Sequence, residues 1–362
     1  MAQFDFLVLG QGIAGSLLAW ELDQRGQKVA IIDQHQPGAA SRVASGMWNP
    51  ITFRLLLKSW RADSLLPVAL DYYAKLCHRF EGDWLHAMPI NRVFPNAETR
   101  EMWLEKRTDT DYSGYLGELS AAAAPTHPLQ YPFGYGVVKQ SGWLEINPLL
   151  DHIRQYFSAK NALYEVDFKP ENLKITAEQV EFQGLTAKKI IFAEGSRLAQ
   201  NPWFQWLPLK PAQGDVLTLH IPGLNLKQVY NAGFFLLPIG NDQYRLGATY
   251  EWDILDPHPT AAGKQELLDK LATAYTGPFT ILSHQAGIRP AVADRRPLLG
   301  LHPDAPSLAI FNGLGTKGVL LAPYFAQQMA GYLLGQGEIE TEVNIKRFRK
   351  RFEKARDARQ EF

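Results

Sequence analysis

Within the first 33 residues a glycine-rich turn, Gly10-Gln11-Gly12-Ile13-Ala14-Gly15-Ser16, joins a short apolar run to an apolar helical stretch, and nothing else in the chain constrains the fold as much. Phe4 to Leu9 is nearly continuous in apolar residues, with Asp5 its only charge, which is the pattern of a strand buried on both faces of a parallel sheet. Ser16 to Leu22 continues as a helix that Gly26 ends, and Lys28 to Ile32 gives a second strand finishing at Asp33. Each residue type has a task in this layout. Gly10 permits the tight turn, Gly12 lets backbone approach a pyrophosphate, and Gly15 lets helix and strand pack closely. The pyrophosphate then rests on the helix N-terminus, where unpaired N–H groups and the positive dipole end meet its charge. Asp33, 23 positions after Gly10, stands where a carboxylate accepts from ribose hydroxyls. Strand, turn, helix, strand and terminal acid together predict a dinucleotide-binding unit, and both FAD and NAD use one.

Length and charge set the outer limits. At 362 residues the chain exceeds the roughly 250 to 300 at which single cores stop growing, so two domains are expected. Lysine plus arginine equals aspartate plus glutamate at 37 each, which provides no long-range field for nucleic acid or an anionic membrane; the expected partner is a small molecule. The one cysteine, Cys77, excludes an internal disulfide and any multi-cysteine metal site, fits a reducing compartment, and reads as a structural thiol at helical spacing. No apolar run reaches the roughly 18 residues of a membrane span, and the N-terminus is already a strand, so an integral membrane segment is not expected and a cytoplasmic location is.

After Asp33, the stretch QHQPGAASRVASGMWNP has no steady period. It reads either as a surface loop or as a second backbone nest in which Ser41, Ser45, Gly46 and Met47 face phosphate or flavin. Helical spacing follows in SLLPVALDYYAKLCHRF, then a short strand in MPINRVFPN, a helix in EMWLEKRTD and an irregular AAAAPTHPLQYPFGYG. INPLLDHIRQYF offers Asn147 as an N-cap with Pro148 at the first helical position. KKIIFAEGSR is a buried strand whose end at Ala193 and Gly195 brings backbone close to a nucleotide, so the first domain resumes after an interruption. From Pro208 the texture is antiparallel sheet, with a turn at Gly240, Asn241 and Asp242, and HPTAAGKQELLDKLATAY is an amphipathic helix. In the basic tail, Phe348 and Phe352 stand four apart, as on a docked helix with a charged outer face.

The ordered pieces GQGIAGSLLAWEL, ASRVASGM, FAEGS, LKPAQGDVL, FLLPIGNDQYRLGATYE, GIRPAVADRRPLLG and GLGTKGVLLAP resemble the D-amino-acid oxidase family of FAD-dependent oxidoreductases, which includes glycine and sarcosine oxidases. The resemblance runs from Phe4 to about Leu334. It implies an α/β fold, a Rossmann-like FAD-binding domain (1–75, 139–207 and 283–362) interrupted by an antiparallel-sheet substrate domain of α+β type (76–138 and 208–282). It assigns FAD contacts to Gly10, Gly12, Ile13, Ala14, Gly15, Asp33, Gln34, Ser41, Ser45, Gly46, Met47, Phe168, Ala193, Gly195, Gly315, Thr316, Lys317, Gly318 and Val319. No cysteine lies near the C-terminal flavin motif, so noncovalent FAD is expected. A helix starting near Gly318 would offer its N-terminus to negative charge on the reduced flavin.

For the substrate, the resemblance gives Arg289 the carboxylate, to which a planar guanidinium fork donates two parallel bonds; the alternative is a structural arginine paired with Asp294 or Asp215. Trp48 is bulkier than expected for a glycine oxidase, and Gln213 stands where relatives often have arginine. Arg54, Lys58 and Trp60 could form a second anion-binding wall or an ordinary solvated face. Phe235 and Tyr250 could border the substrate or fill a sheet core. The implied reaction is oxidation of a CH–NH bond by hydride transfer to flavin N5, with oxygen or an unidentified carrier as the electron acceptor. Oxidation of a 2-hydroxy acid or other alcohol is the alternative and would make His284 a base. A flavin enzyme acting on modified tRNA and a non-catalytic FAD-binding protein are further readings; the balanced charge argues against the former.

Overall fold

The computed structural model describes residues 2–34, 38–120, 128–176, 178–253 and 256–360. His35 to Pro37 and the AAAAPTH of the irregular stretch lie outside them. The chain forms two compact units, Met1–Arg42, Ile146–Ala212 and Ile288–Phe362 making the first, Val43–Glu145 and Gln213–Gly287 the second. The elements that matter below run in chain order as β1 (Ala2–Leu9), α1 (Ile13–Gln24), β2 (Val29–Ile32), α2 (Ala62–Arg79), β3 (Ile90–Val93), α3 (Ala97–Thr108), α4 (Ile146–Ala159) and β4 (Leu185–Phe192). They continue as β5 (Ala212–His220), β6 (Val229–Asn231), β7 (Phe235–Gly240), β8 (Gln243–Gly247), α5 (Ala261–Ala272), β9 (Thr280–Arg289), β10 (Leu298–His302), β11 (Ala305–Asn312), α6 (Gly318–Leu333) and α7 (Arg349–Gln360).

In the first unit β1 runs parallel to both β2 and β4, and β4 runs parallel to β11. Four apolar residues in a row, Val29 to Ile32, are all buried, as expected of a strand covered on both faces. The registers Leu9↔Ile32 and Leu9↔Phe192 bring three strand ends level, so that Gly10, Asp33 and Ala193 emerge side by side. On α4, Ile146, Leu149, Leu150, Ile153 and Phe157 are buried at helical spacing. Asn147 is not its N-cap: the helix already includes it, and its side-chain amide donates to the Arg42 carbonyl at 3.0 Å. The tail docks as α7, with Phe352 buried against Trp206, their ring centroids 5.2 Å apart.

The second unit is built on an eight-stranded sheet containing β9, β5, β8, β7, β6 and β3 in that order. The β7–β8 hairpin turns through Asn241 and Asp242, both left-handed, at φ 53° and 55°, which matches the right-handed twist of the strands it joins. Leu217, Leu219, Leu236, Leu246 and Tyr244 on one face join Leu267 and Leu271 of α5 in a single buried cluster. On the other face the ring of Phe235 fills the space above Gly247, where a Cβ would lie 2.6 Å from it.

The unit bounds differ from those expected. Residues 43–75 fall in the second unit because Met47–Trp48 pairs with Gly142–Leu144, and the Tyr115 hydroxyl, 2.5 Å from an Asp63 oxygen, ties in α2. The same pairing takes in residues 139–145, and 283–287 also join this unit. Residues 208–212 remain in the first unit, where the Lys210 N–H donates to the Ala291 carbonyl at 2.7 Å. Among the described residues no helix is long and apolar enough to cross a membrane.

Candidate functional site

At the level strand ends of the first unit, two glycines of the turn, Gly10 and Gly15, are sterically required. Gly10 has φ +101°, and a Cβ on it would lie 2.5 Å from the Ala193 carbonyl oxygen. A Cβ on Gly15 would lie 1.9 Å from the Gly10 oxygen, and one on Gly12 would meet the Ser41 hydroxyl at 3.2 Å. The hollow in front of α1 is thus walled by backbone, Ser41 and the start of the helix. The Ile13 N–H donates to Ser41 Oγ at 3.0 Å, while Ala14 and Gly15 belong to the first helical turn, whose N–H groups have no intrahelical acceptor. Asp33 Oδ1 accepts from the Gln11 N–H at 2.9 Å, which fixes its carboxylate beside the turn. Gln34 follows it on the surface.

The second half of this site comes from the far end of the chain. The helix α6 begins at Gly318, as its glycine loop predicts, and Gly318 is so close to α1 that a Cβ on it would lie 3.4 Å from Ile13 Cγ2. Two helix N-termini therefore converge. The Gly315 N–H donates to the Pro290 carbonyl at 3.2 Å, which sets the end of β9 and Arg289 against the loop carrying Thr316, Lys317 and Val319. On the other side of that strand end, the Ile288 N–H donates to the Gly38 carbonyl at 3.1 Å. Burial pulls the Lys317 ammonium down to about 8. At the end of β4, Gly195 is held by the Asn312 amide, which donates to its carbonyl at 3.1 Å. Between Ala193 and Gly195, burial pushes the Glu194 carboxyl up to about 7, against the opposing effect of the Asn201 amide that donates to it at 2.7 Å.

Other expected residues are placed differently. Phe168 buries its side chain between Phe182 and Phe192, leaving only its backbone to reach a ligand. Ser45, Gly46 and Met47 lie in the second unit, apart from Ser41 in the chain's division. There, Gly46 is held at φ +71° against Leu144, and the Ser45 hydroxyl is buried with no hydrogen-bond partner among the described residues. Trp48 is buried over Gly142 and donates its Nε1–H to the Gln140 carbonyl at 3.1 Å, an interior role. Arg54 is exposed, and Lys58 pairs with Asp63 at 2.8 Å. Phe235 lies on the sheet face away from α5, whereas Tyr250 is 53% exposed beside Trp252.

His284 Nε2 lies 2.6 Å from Asp215 Oδ1, and the same oxygen accepts from the Thr260 N–H at the start of α5. Asp215 is thereby committed to His284 and α5, and Asp294 is committed to Arg347 at 2.9 Å. Sequence reasoning missed Arg154, which pairs with Asp33 at 3.3 Å and also bonds Glu165. It missed Arg42 as well, which donates to Gln11 and Asp151. A basic residue on α4 carries no local signal of its partner just past β2, because that pairing exists only once the sheet has formed.

Residues 5–332 match the DAO family, described as FAD dependent oxidoreductase. The chain is 27% identical over 363 residues to the bifunctional protein ThiO/ThiG of Trichormus variabilis, covering 92% of this chain and 53% of that protein. It is 27% identical over 366 residues to the tRNA 5-methylaminomethyl-2-thiouridine biosynthesis bifunctional protein MnmC of Marinobacter nauticus, covering 91% and 55%. The chain thus spans about half the length of these curated relatives. Among solved structures, iminodiacetate oxidase from Chelativorans sp. BNC1 is similar with a TM-score of 0.78 and 24% identity, covering 95% of this chain and 98% of that one. Glycine oxidase from Bacillus cereus gives 0.76 and 20%, covering 93% and 99%. These two likenesses bear on the fold, an α/β dinucleotide-binding architecture interrupted by a second sheet. With the glycine turn, Asp33 and the C-terminal helix loop all inside the matched span, the chain belongs to the DAO family of FAD-dependent oxidoreductases.

Proposed function

We propose that this chain oxidises the CH–NH bond of a small carboxylated amine or amino acid, with the first unit holding FAD noncovalently and supplying Arg289 to the substrate. The observation that carries the reading is the Gly315–Pro290 backbone bond, which sets Arg289 beside the loop that opens α6. The backbone-walled hollow in front of α1 fits a pyrophosphate, since a Cβ at Gly10, Gly12 or Gly15 would intrude on its wall. Gly12, Ile13, Ala14, Gly15 and Ser41 would hold that group, and Asp33 a ribose. FAD, when bound, would supply the acceptor for the hydride that carries two electrons from the substrate's α carbon.

The chain's own residues do the rest. Arg289 orients the substrate through its carboxylate, a task of positioning rather than of proton transfer. The N-terminus of α6 and the Lys317 ammonium favour the negative charge that accompanies reduction. Lys317 sits in a setting that draws its ammonium toward neutrality, so an anion nearby would restore its charge. An amine needs no protein base once its nitrogen is neutral, whereas an alcohol does.

Anaerobic mixing of the yellow protein with a panel of amino acids, N-methyl amines and hydroxy acids tests this directly through loss of flavin absorbance. Carboxylated amines are expected to bleach the flavin; bleaching by hydroxy acids alone would discard the reading. Arg289→Ala should weaken a carboxylated substrate by roughly 2 to 5 kcal/mol, read as a rise in the half-saturating concentration.

A further inference from the structure

Two arginines stand on the face of the second unit's sheet that points away from α5, and they differ in how they are satisfied. Arg245 on β8 donates to the Ala44 carbonyl at 2.9 Å and to Gln285 Oε1 at 3.2 Å. Arg92 on β3 has one long bond, Nη1 to Asn231 Oδ1 at 3.5 Å, and its Nε is buried without an acceptor among the described residues. Neither guanidinium meets a carboxylate among the described residues, and burial holds both below their ordinary pKa. A charge taken out of water is ordinarily paired, so Arg92 is the exception that needs an explanation.

The surroundings of Arg92 indicate what it awaits. The register runs Arg92↔Asn231↔Phe235↔Gly247 across four neighbouring strands, so a neutral amide, an aromatic ring and a residue without side chain continue its row. The ring of Phe53 lies over the guanidinium, 5.6 Å from centroid to carbon. Phe53 belongs to the turn between Ile51–Thr52 and Leu57–Lys58, in which Arg54 and Leu55 are exposed. With Nη1 turned to Asn231, the edge left over is Nε and Nη2, the pair that gives two parallel hydrogen bonds to one planar carboxylate. We propose that Arg92, with Asn231 and Phe53, forms an anion subsite on the second unit that binds a carboxylate, distinct from the one assigned to Arg289. The carboxylate belongs to a small organic acid, so the subsite does not rest on the amine-oxidation reading.

The test uses the FAD-loaded full chain and two readouts. In the first, succinate and acetate are titrated calorimetrically into Arg289→Ala protein, with and without Arg92→Gln. Binding that weakens at least tenfold on adding Arg92→Gln, and is partly kept by Arg92→Lys, is expected; binding unaffected by Arg92→Gln overturns the subsite. In the second, the melting temperature of Arg92→Met is compared with that of the parent protein. If no amine bleaches the flavin while succinate still binds through Arg92, the functional reading falls and the subsite stands. Arg92→Met should leave the melting temperature equal or higher, because an apolar isostere replaces an unpaired buried charge; a lowered one would make Arg92 a structural cation and overturn the subsite.

Discussion

At the scale of single residues, the turn has almost no tolerance. Gly15→Ala places a methyl group 1.9 Å from the Gly10 oxygen, a backbone atom that cannot rotate away. Its expected outcome is loss of about 1 to 3 kcal/mol of stability and of most bound FAD, read from the ratio of flavin to protein absorbance. Glu194 makes a prediction about pH. Its carboxyl is raised in the folded protein from an ordinary 4.5 to about 7, so its protonated form is the one the fold favours. That contribution is complete below the unfolded value and is lost as pH rises through about 7. Melting temperature should therefore fall across that interval in the parent protein, and Glu194→Gln should flatten the fall. Gly10, Gly12, Gly15 and Asp33 were legible in the sequence because each meets a local steric or charge requirement. The isolation of Arg92 was not, since it follows from the pairing of β3 with β6, whose residues lie far apart in the chain.

At the scale of elements, α5 is fastened at its start. Thr260 Oγ1 accepts from the Gly263 N–H at 2.9 Å, and its own N–H donates to Asp215. Thr260→Ala should cost about 1 kcal/mol, seen as a lower urea midpoint, with flavin content unchanged. The start of α6 at Gly318 and the turn at Asn241 and Asp242 could be read in advance, because glycine loops and left-handed turn residues act within a few positions. The start of α4 could not. Asn147 has the right side chain for a cap, but the Arg42 carbonyl, 105 residues away in sequence, claims its amide.

At the scale of the whole molecule, FAD should act as a stabilising ligand. With free FAD at a hundred times its dissociation constant, the folded state gains about 2.7 kcal/mol, which corresponds to a rise of roughly 3 to 4 °C in melting temperature over the deflavinated protein. Differential scanning fluorimetry with and without added FAD checks this, and the absence of any shift would contradict the assigned hollow. The two-unit plan was visible as a change of texture near Pro208, but the crossing at Arg42 was not: the segment around it, ASRVASGM, is uniform in composition, and only the packing of the folded chain divides it.

The convergence of α1 and α6 also bears on how the protein is made. Ile13 leaves the ribosome 305 residues before Gly318, its neighbour in the cradle. At roughly 5 to 20 residues per second, the glycine turn waits about 15 to 60 s for its other half. Until then the nascent chain has β1 without β11 and a dinucleotide hollow open on one side, so flavin capture follows synthesis of α6 rather than that of the turn.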